Sequence, residues 1–226
     1  TDWRLAAERL GNTVLDRAPN WLVFVEGAGA DPPDAPSYWG ENLMHARRAP
    51  VRLAQPHRLV YSPHVYGPSV HTQPYQTVAA FPDNMPPLWD RFFGQLANAS
   101  ALGGDGARAV VPGEWGGRYK GRDRQNQDAF ADYLIARGLR SNFYFALNPN
   151  SDDTGGVLLD DWRTPNAAKL DLLRHLVPAP SRFVQRAADG WVCIQPDQVQ
   201  GEQPTPPSET ATPTQHADAL ESTPMR

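Results

Sequence analysis

The segment Ala109-Val110-Val111-Pro112-Gly113-Glu114-Trp115-Gly116-Gly117 decides the fold prediction, because a short β-branched run stops at a glycine and is followed by one carboxylate. Such a run predicts a buried strand whose carboxyl end delivers Glu114 to a surface. In a barrel of parallel strands the side chains at this end face the substrate, which makes Glu114 a candidate for catalysis. The alternative is an ordinary strand-to-loop turn with a solvated glutamate.

Three other apolar runs also end in polar or aromatic residues. They are Trp21–Val25, which ends at Glu26, Arg58–Ser62, which runs into His64 and Tyr66, and Asn142–Leu147, which ends in a turn-rich loop. Apolar residues at three-to-four spacing predict helices between and around them, from Asp2 to Pro19, from Pro87 to Leu96, from Gln127 to Arg137 and from Ala167 to Leu176. This alternation predicts an α/β fold of about four βα units around a parallel sheet, whereas a complete (β/α)8 barrel has eight.

Composition limits the class of protein and its partners. The 226 residues are 40% hydrophobic, which is enough for a packed core. A net charge of -4 and a pI near 5.8 argue against a nucleic-acid partner, and no apolar run approaches the ~20 residues of a membrane helix. The single cysteine, Cys193, cannot form an internal disulfide. Because the chain begins with Thr1 rather than methionine, we expect a processed protein or a missing upstream part.

The composition changes along the chain and predicts three regions. Residues 1–177 carry the βα units, and residues 178–195 are a short extension. Residues 196–226 consist largely of Pro, Thr, Ser, Glu and Gln and have almost no apolar content. We therefore expect 196–226 to be a disordered, linker-like tail.

Five blocks, in order along residues 1 to 177, resemble glycoside hydrolase family 5, and most closely its bacterial endo-β-1,4-glucanases. The blocks are Val25-Glu26-Gly27, Trp39-Gly40-Glu41-Asn42-Leu43, Leu59 to Gly67, Gly113-Glu114-Trp115-Gly116-Gly117 and Asn148 to Gly156. The resemblance implies a (β/α)8 barrel and retaining hydrolysis of β-glucan without a cofactor. It further implies that this chain is the C-terminal half of the barrel, strands 5 to 8.

The resemblance also implies roles for individual residues. Glu114 matches the family's nucleophile at the end of strand 7, and His64 and Tyr66 match its His-x-Tyr at the end of strand 6. The Tyr66 hydroxyl would hydrogen-bond the nucleophile, and His64 would bind sugar hydroxyls. Four residues are expected to contact the substrate: Trp39, Trp115, Phe145 and Asn148. Trp39 would offer a flat face to a pyranose ring or, alternatively, anchor its loop; Phe145 stands where the family usually has a tryptophan.

One family element is absent from these 226 residues. The family's acid/base glutamate lies in an Asn-Glu-Pro block, and no Asn-Glu-Pro occurs here. Glu26 is the other glutamate at a strand end, and we expect it to have a supporting or structural role rather than a catalytic one. Two alternatives follow from the absence: a catalytically inactive glucan-binding fragment, or two copies that associate to close a barrel. Secretion is expected from the resemblance and the linker-like tail.

Two patterns invite a metal interpretation, and we reject both. His57, His64 and His71 recur every seven residues, but zinc ligands are spaced more closely and no cysteine or carboxylate cluster completes the set. The run Asn148-x-Asn150-x-Asp152 begins like a calcium loop, but it lacks the glycine at the sixth position and the closing glutamate. The sequence therefore predicts a site without a metal.

Overall fold

The computed structural model describes residues 2–29, 36–98 and 108–177, and the backbone of 182–186 and 190–194. The chain divides into two compact units, Thr1–Ala179 and Pro180–Arg226. The second unit contains an antiparallel strand pair, Arg182–Arg186 and Gly190–Ile194. The predicted tail, 196–226, lies outside the described residues. No helix in the described ranges is both long and apolar enough to cross a membrane.

Four α-helices belong to the first unit: α1 (Trp3–Arg17), α2 (Met85–Phe92), α3 (Gly121–Arg137) and α4 (Ala167–Leu176). The ends of α1 and α4 follow from capping residues. The Asp2 carboxylate accepts a hydrogen bond from the Leu5 amide at 3.2 Å, and the Asn166 side chain accepts one from the Lys169 amide at 3.3 Å. Both helices agree with the predicted segments.

The other two helices differ from the prediction at their ends. Helix α3 begins at Gly121 rather than Gln127, because a buried carboxylate in its first turn stabilises this polar start. The buried Asp123 carboxylate accepts from the Tyr119 amide and from Gln127 Nε2, both at 2.7 Å. Helix α2 ends at Phe92, and Gly94–Ala97 continues as a separate 3₁₀ turn.

Four strands form two parallel pairs. Strand β1 (Val23–Glu26) pairs with β2 (Leu59–Ser62), and β3 (His64–Tyr66) pairs with β4 (Glu114–Gly116). Two single parallel bridges add the remaining predicted strands to this arrangement. One joins Tyr61 to Val110, in the segment that begins at Ala109, and the other joins Trp115 to Tyr144, in the segment 142–147. Neighbours in space are therefore neighbours in sequence, which is the arrangement of consecutive βα units.

Two predicted strands are shorter than expected. The segment from Ala109 contributes one bridge at Val110 before β4 begins, and 142–147 contributes one bridge at Tyr144. Proline explains part of this difference, since Pro63 and Pro112 have no amide hydrogen to give to a ladder. Their carbonyl groups still accept hydrogen bonds. The Pro63 carbonyl accepts from the Gly113 amide at 3.0 Å and the Pro112 carbonyl from the Phe143 amide at 2.9 Å, so the neighbouring segments stay side by side at these positions.

The core lies between the strands and the helices. Trp115 of β4 is fully buried and packs edge-on against Phe130 of α3, with ring centroids 5.5 Å apart. Trp89 of α2 is also fully buried, 4.9 Å from the same Phe130 ring. The opposite face of the strand layer is more open: Phe24 and Phe143 are 43% and 57% exposed and contact each other edge-on.

Candidate active site

Glu114, Tyr66 and His64 meet where β3 and β4 pair. The parallel register sets His64 directly opposite Glu114, and Tyr66 lies two residues along β3 on the same face. The Tyr66 hydroxyl donates to Glu114 Oε2 at 2.8 Å, and His64 Nδ1 lies 3.5 Å from the same oxygen. The Glu114 side chain stays 38% exposed, so one carboxylate is both held in place and open to a ligand.

Gly113 makes this close approach possible. A Cβ atom at residue 113 would lie 2.1 Å from Ser62 Oγ and 3.1 Å from His64 Nε2. Any larger residue would therefore separate the strand that carries His64 from the strand that carries Glu114. The glycine before the glutamate is required by the distance between the two strands.

The phenol of Tyr66 stays protonated in this setting. Burial raises its pKa, and the hydrogen bond to Glu114 and the negative charge of that carboxylate raise it further. A tyrosine that keeps its proton remains a hydrogen-bond donor to the carboxylate over the physiological pH range. The hydroxyl is thus suited to holding the Glu114 carboxylate in one position.

Glu26 reaches the same imidazole from the end of β1. Its Oε1 lies 3.2 Å from His64 Nδ1, closer than Glu114 Oε2. The Nδ1 atom of His64 therefore faces two carboxylates. The sequence predicted only a supporting or structural role for Glu26, and its contact with His64 gives that prediction a definite geometry.

Aromatic side chains extend from this cluster in two directions. Trp39 is 65% exposed and packs edge-on against Tyr38, whose ring lies 4.9 Å from that of Tyr66. On the other side, Phe145 is 38% exposed and lies 6.4 Å from Tyr66, also edge-on. Flat, exposed rings on both sides of a carboxylate are suited to a ligand with apolar faces, such as a pyranose.

Sequence reasoning missed two residues next to this site. Tyr38 connects Trp39 to Tyr66, and His71, considered only as a metal ligand, lies 5.8 Å from the Trp39 ring. Both occur in or after long loops, where neither helical nor strand periodicity marks a residue that faces the site. The only sequence signal was the aromatic content of those loops.

Two residues that were predicted to contact substrate, Trp115 and Asn148, form hydrogen bonds within the protein. Trp115 is completely buried and donates from Nε1 to Asn142 Oδ1 at 2.7 Å, so the prediction that it contacts substrate is wrong. The reason is strand geometry: residues 114 and 115 point to opposite faces. Asn148 is exposed and hydrogen-bonds Asn150, and its role stays a prediction.

The histidines considered for a metal have other contacts. His71 Nδ1 lies 3.2 Å from Gln73 Nε2, and His64 faces Glu26 and Glu114. Across the described ranges, no three or more His, Cys, Asp or Glu side chains are grouped so that they could hold a metal ion.

A family model supplies the identification, since the model for cellulases, glycosyl hydrolase family 5, matches residues 1–151. The chain belongs to glycoside hydrolase family 5. Among its relatives, the major extracellular endoglucanase of Xanthomonas campestris pv. campestris is 43% identical over 182 residues, which cover 78% of this chain and 36% of the relative. An endoglucanase of Paenibacillus polymyxa is 41% identical over 192 residues, which cover 83% of this chain and 47% of the relative.

Solved structures of family 5 enzymes have the same fold as the described part of this chain. The catalytic domain of the Xanthomonas enzyme aligns with a TM-score of 0.71 at 42% identity, covering 79% of this chain and 51% of that domain. A complex of the Pyrococcus horikoshii endocellulase with cellotetraose aligns with a TM-score of 0.70 at 43% identity, covering 78% of this chain and 48% of that one. The described α/β unit is thus part of the family 5 (β/α)8 fold. The chain spans about half, or less, of the length of these relatives.

Proposed function

We propose that this chain is part of a retaining endoglucanase that cleaves β-1,4-glucan, and that Glu114 is its nucleophile. The observation that carries the proposal is the half-exposed carboxylate of Glu114, the first residue of the parallel strand β4, held by the Tyr66 hydroxyl. The relatives support the substrate class, because they are named endoglucanases and one was solved with cellotetraose. We further propose that the four strand segments correspond to strands 5 to 8 of the barrel.

In the proposed reaction, Glu114 attacks the anomeric carbon and forms a glycosyl-enzyme while the aglycone departs. Tyr66 holds Oε2, which leaves the second carboxylate oxygen for the attack. Water then loses a proton to a base and attacks the anomeric carbon opposite the bond to Glu114, which breaks and returns the electron pair to the carboxylate; this second inversion gives net retention. His64 and the rings of Trp39 and Phe145 would hold the sugars on either side.

We propose that the proton for the departing oxygen comes from outside these 226 residues. A natural glucan needs that proton, because an unprotonated sugar alkoxide is a poor leaving group, whereas an activated aryl glycoside needs little protonation. The two kinds of substrate therefore separate the function of the nucleophile from that of the acid.

The test compares carboxymethyl-cellulose with a dinitrophenyl β-cellobioside, using the 226-residue chain and its Glu114→Gln variant. We expect turnover of the aryl substrate alone, and none by the variant. If the chain cleaves both substrates, another residue supplies the proton, and a Glu26→Gln variant tests the second carboxylate beside His64. If neither is cleaved while cellotetraose still binds, the inactive glucan-binding alternative replaces the proposal.

We also propose that the protein is secreted. The support is the name of the Xanthomonas relative, an extracellular endoglucanase, and the insolubility of its substrate class, which a cell must degrade outside. Immunoblots of the culture medium and of cells that express the complete reading frame test this directly.

A further inference from the structure

We propose that Glu41 is a positioning residue of the glucan-binding cleft, and that its buried carboxyl group fixes the loop that presents Trp39. This inference rests on the proposed function, since it takes Trp39 to be a sugar-binding surface. Glu41 itself contacts no sugar in this account. It acts through the two residues that precede Gly40.

The Glu41 carboxyl group is enclosed and hydrogen-bonded from two directions. The residue is 1% exposed. Its Oε2 accepts from the backbone amide of Tyr38 at 2.9 Å and from the hydroxyl of Tyr75 at 2.8 Å. The Tyr38 bond returns to the loop itself, while the Tyr75 bond ties the loop to the 3₁₀ turn Pro74–Gln76. Burying a carboxyl group costs free energy because the group loses its hydration, so its two hydrogen bonds have to offset that desolvation.

The peptide on the other side of Trp39 is fixed as well. The Gly40 carbonyl accepts from the amide of Gly27, just after β1, at 3.1 Å and from the amide of His64, the first residue of β3, at 3.0 Å. Gly40 has a φ of +79°, and a Cβ atom there would lie 2.3 Å from Glu26 Oε1. Trp39 therefore lies between two fixed residues. Backbone hydrogen bonds fix Gly40, and the Glu41 carboxyl group fixes Tyr38.

This arrangement connects Glu41 to the catalytic cluster through packed rings. Tyr38 is held at its amide by Glu41, and its ring packs on Tyr66, which donates to Glu114. Trp39 packs on Tyr38 and is otherwise largely exposed. If the Tyr38 amide is released, we expect the loop to sample more orientations, so that the Trp39 ring is no longer preorganised for a sugar.

Two residues bond to the Glu41 carboxyl group: Tyr38 of its own loop through the backbone amide, and Tyr75 of the 3₁₀ turn through its titratable hydroxyl. Burial raises the pKa of Glu41 to about 7, and the hydrogen bonds from the Tyr38 amide and the Tyr75 hydroxyl lower it in part. Burial and the Glu41 carboxylate both raise the pKa of Tyr75, so its hydroxyl remains a donor. A Glu41→Gln substitution keeps an acceptor oxygen without the charge, whereas Glu41→Ala removes both bonds.

The experiment measures cellotetraose affinity by calorimetry in the parent chain, Glu41→Gln, Glu41→Ala and a matched core variant, Leu172→Ala in α4. We expect Glu41→Ala to weaken binding about tenfold, and Glu41→Gln to stay close to the parent. Leu172→Ala should lower stability with no effect on affinity, because that residue is buried on α4, which packs against α3. Equal losses in Glu41→Ala and Leu172→Ala would overturn the proposal.

A double-mutant cycle separates positioning from general loosening. In a Trp39→Ala background, Glu41→Ala should have no further effect on affinity, because the ring that it positions is gone. A full, additive loss in that background would contradict the proposal.

Amide hydrogen exchange tests the positioning without any ligand. We expect the Tyr38 amide to exchange at least about tenfold faster in Glu41→Ala, while the Phe130 amide in α3 keeps its rate. Unchanged Tyr38 exchange overturns the inference even if the chain binds glucan. If the parent chain fails to bind cellotetraose, the proposed function fails, and the Tyr38 exchange rate still decides whether Glu41 holds the loop.

Discussion

The proposed role of Glu114 depends both on its position in β4 and on the hydrogen bond that it accepts from the Tyr66 hydroxyl. Tyr66 fixes Oε2, and the half-exposed side chain leaves the rest of the carboxylate accessible. His64 contributes differently, because its Nδ1 faces Glu26 as well as Glu114. Tyr66 is therefore the residue whose removal should affect Glu114 most directly.

Tyr66→Phe should lower kcat/KM for the activated aryl cellobioside by roughly 10- to 100-fold, because a hydrogen bond to a charged acceptor contributes about 1.5–3 kcal/mol. Steady-state kinetics measure this loss. Tyr133→Phe is the matched control, since Tyr133 is equally buried and donates to Asp90 at 2.8 Å on α2. A loss of the same size in Tyr133→Phe would mean that both substitutions act through the fold.

Glu41 should make stability fall as pH rises. Its pKa is about 7 in the folded chain and 4.5 without burial, so between these values the folded state binds more protons than the unfolded state. The free energy of unfolding should therefore be about 3 kcal/mol lower at pH 8 than at pH 4.5 from this residue. Urea unfolding at several pH values should reveal the decrease in the parent and not in Glu41→Gln.

The control for this titration is Glu8→Gln, which replaces a glutamate of α1 that accepts from Arg4 and from the Arg52 amide. This variant should keep the decrease seen in the parent. If Glu41→Gln also keeps it, the pH dependence originates elsewhere in the chain.

At the scale of single residues, the sequence identified those whose strand position and motif agreed. Glu114, His64 and Tyr66 follow apolar runs and match a family block, and the structure brings them together. Trp115 was misassigned because the motif was considered without the alternation of strand side chains. That alternation already predicts that Trp115 and Glu114 point to opposite faces of the strand. Tyr38 could not be found, because its contact with Tyr66 depends on a loop conformation that no periodicity encodes.

At the scale of elements, the pairing of β3 with β4 is the feature that assembles the site. The two strands approach closely at Gly113, where a side chain would meet Ser62 Oγ and the His64 ring. The site therefore depends on the absence of a side chain at that position.

Gly113→Ala should destabilise the fold by about 1–3 kcal/mol, as overpacking of a tight contact does, and should also reduce aryl cellobioside turnover. Chemical denaturation and kinetics measure the two effects. Ser62→Ala removes the oxygen that the new methyl group meets, so the double variant should recover part of the lost stability. No recovery in the double variant would show that another contact limits the approach of the strands.

Element boundaries were predictable where local chemistry marks them. Helix α4 agrees because Asn166 caps it and leucines recur along one face. Helix α3 was predicted to start too late, since its first residues are polar and are stabilised by Asp123, which bonds to Tyr119 before the helix and to Gln127 within it. The segment 142–147 is less regular than predicted, because Pro112 interrupts the ladder beside it.

At the scale of the molecule, helices cover one face of the strand layer while apolar side chains remain accessible on the other. Phe24, Phe143 and Leu147 are 43%, 57% and 65% exposed in the described unit. A concentration of exposed apolar side chains favours association. We therefore predict that the isolated chain self-associates.

Light scattering across a concentration series tests this prediction. Phe143→Glu should shift the chain toward the monomer by adding charge to that face. Leu10→Glu on α1 adds the same charge at a residue that is 64% exposed on a helix, and should leave the association unchanged. A monodisperse monomer for the parent chain would contradict the prediction.

The central claim, that Glu114 is the nucleophile, is tested most directly by trapping it. A 2-deoxy-2-fluoro cellobioside with a dinitrophenolate leaving group needs little help from an acid, and the fluorine slows hydrolysis of the glycosyl-enzyme so that it accumulates. Intact-mass spectrometry followed by peptide mapping then locates the sugar. We predict one fluorocellobiosyl group on Glu114 and none on the Glu114→Gln variant. A label on Glu26 or any other residue, or no label in a chain that binds cellotetraose, would contradict the assignment.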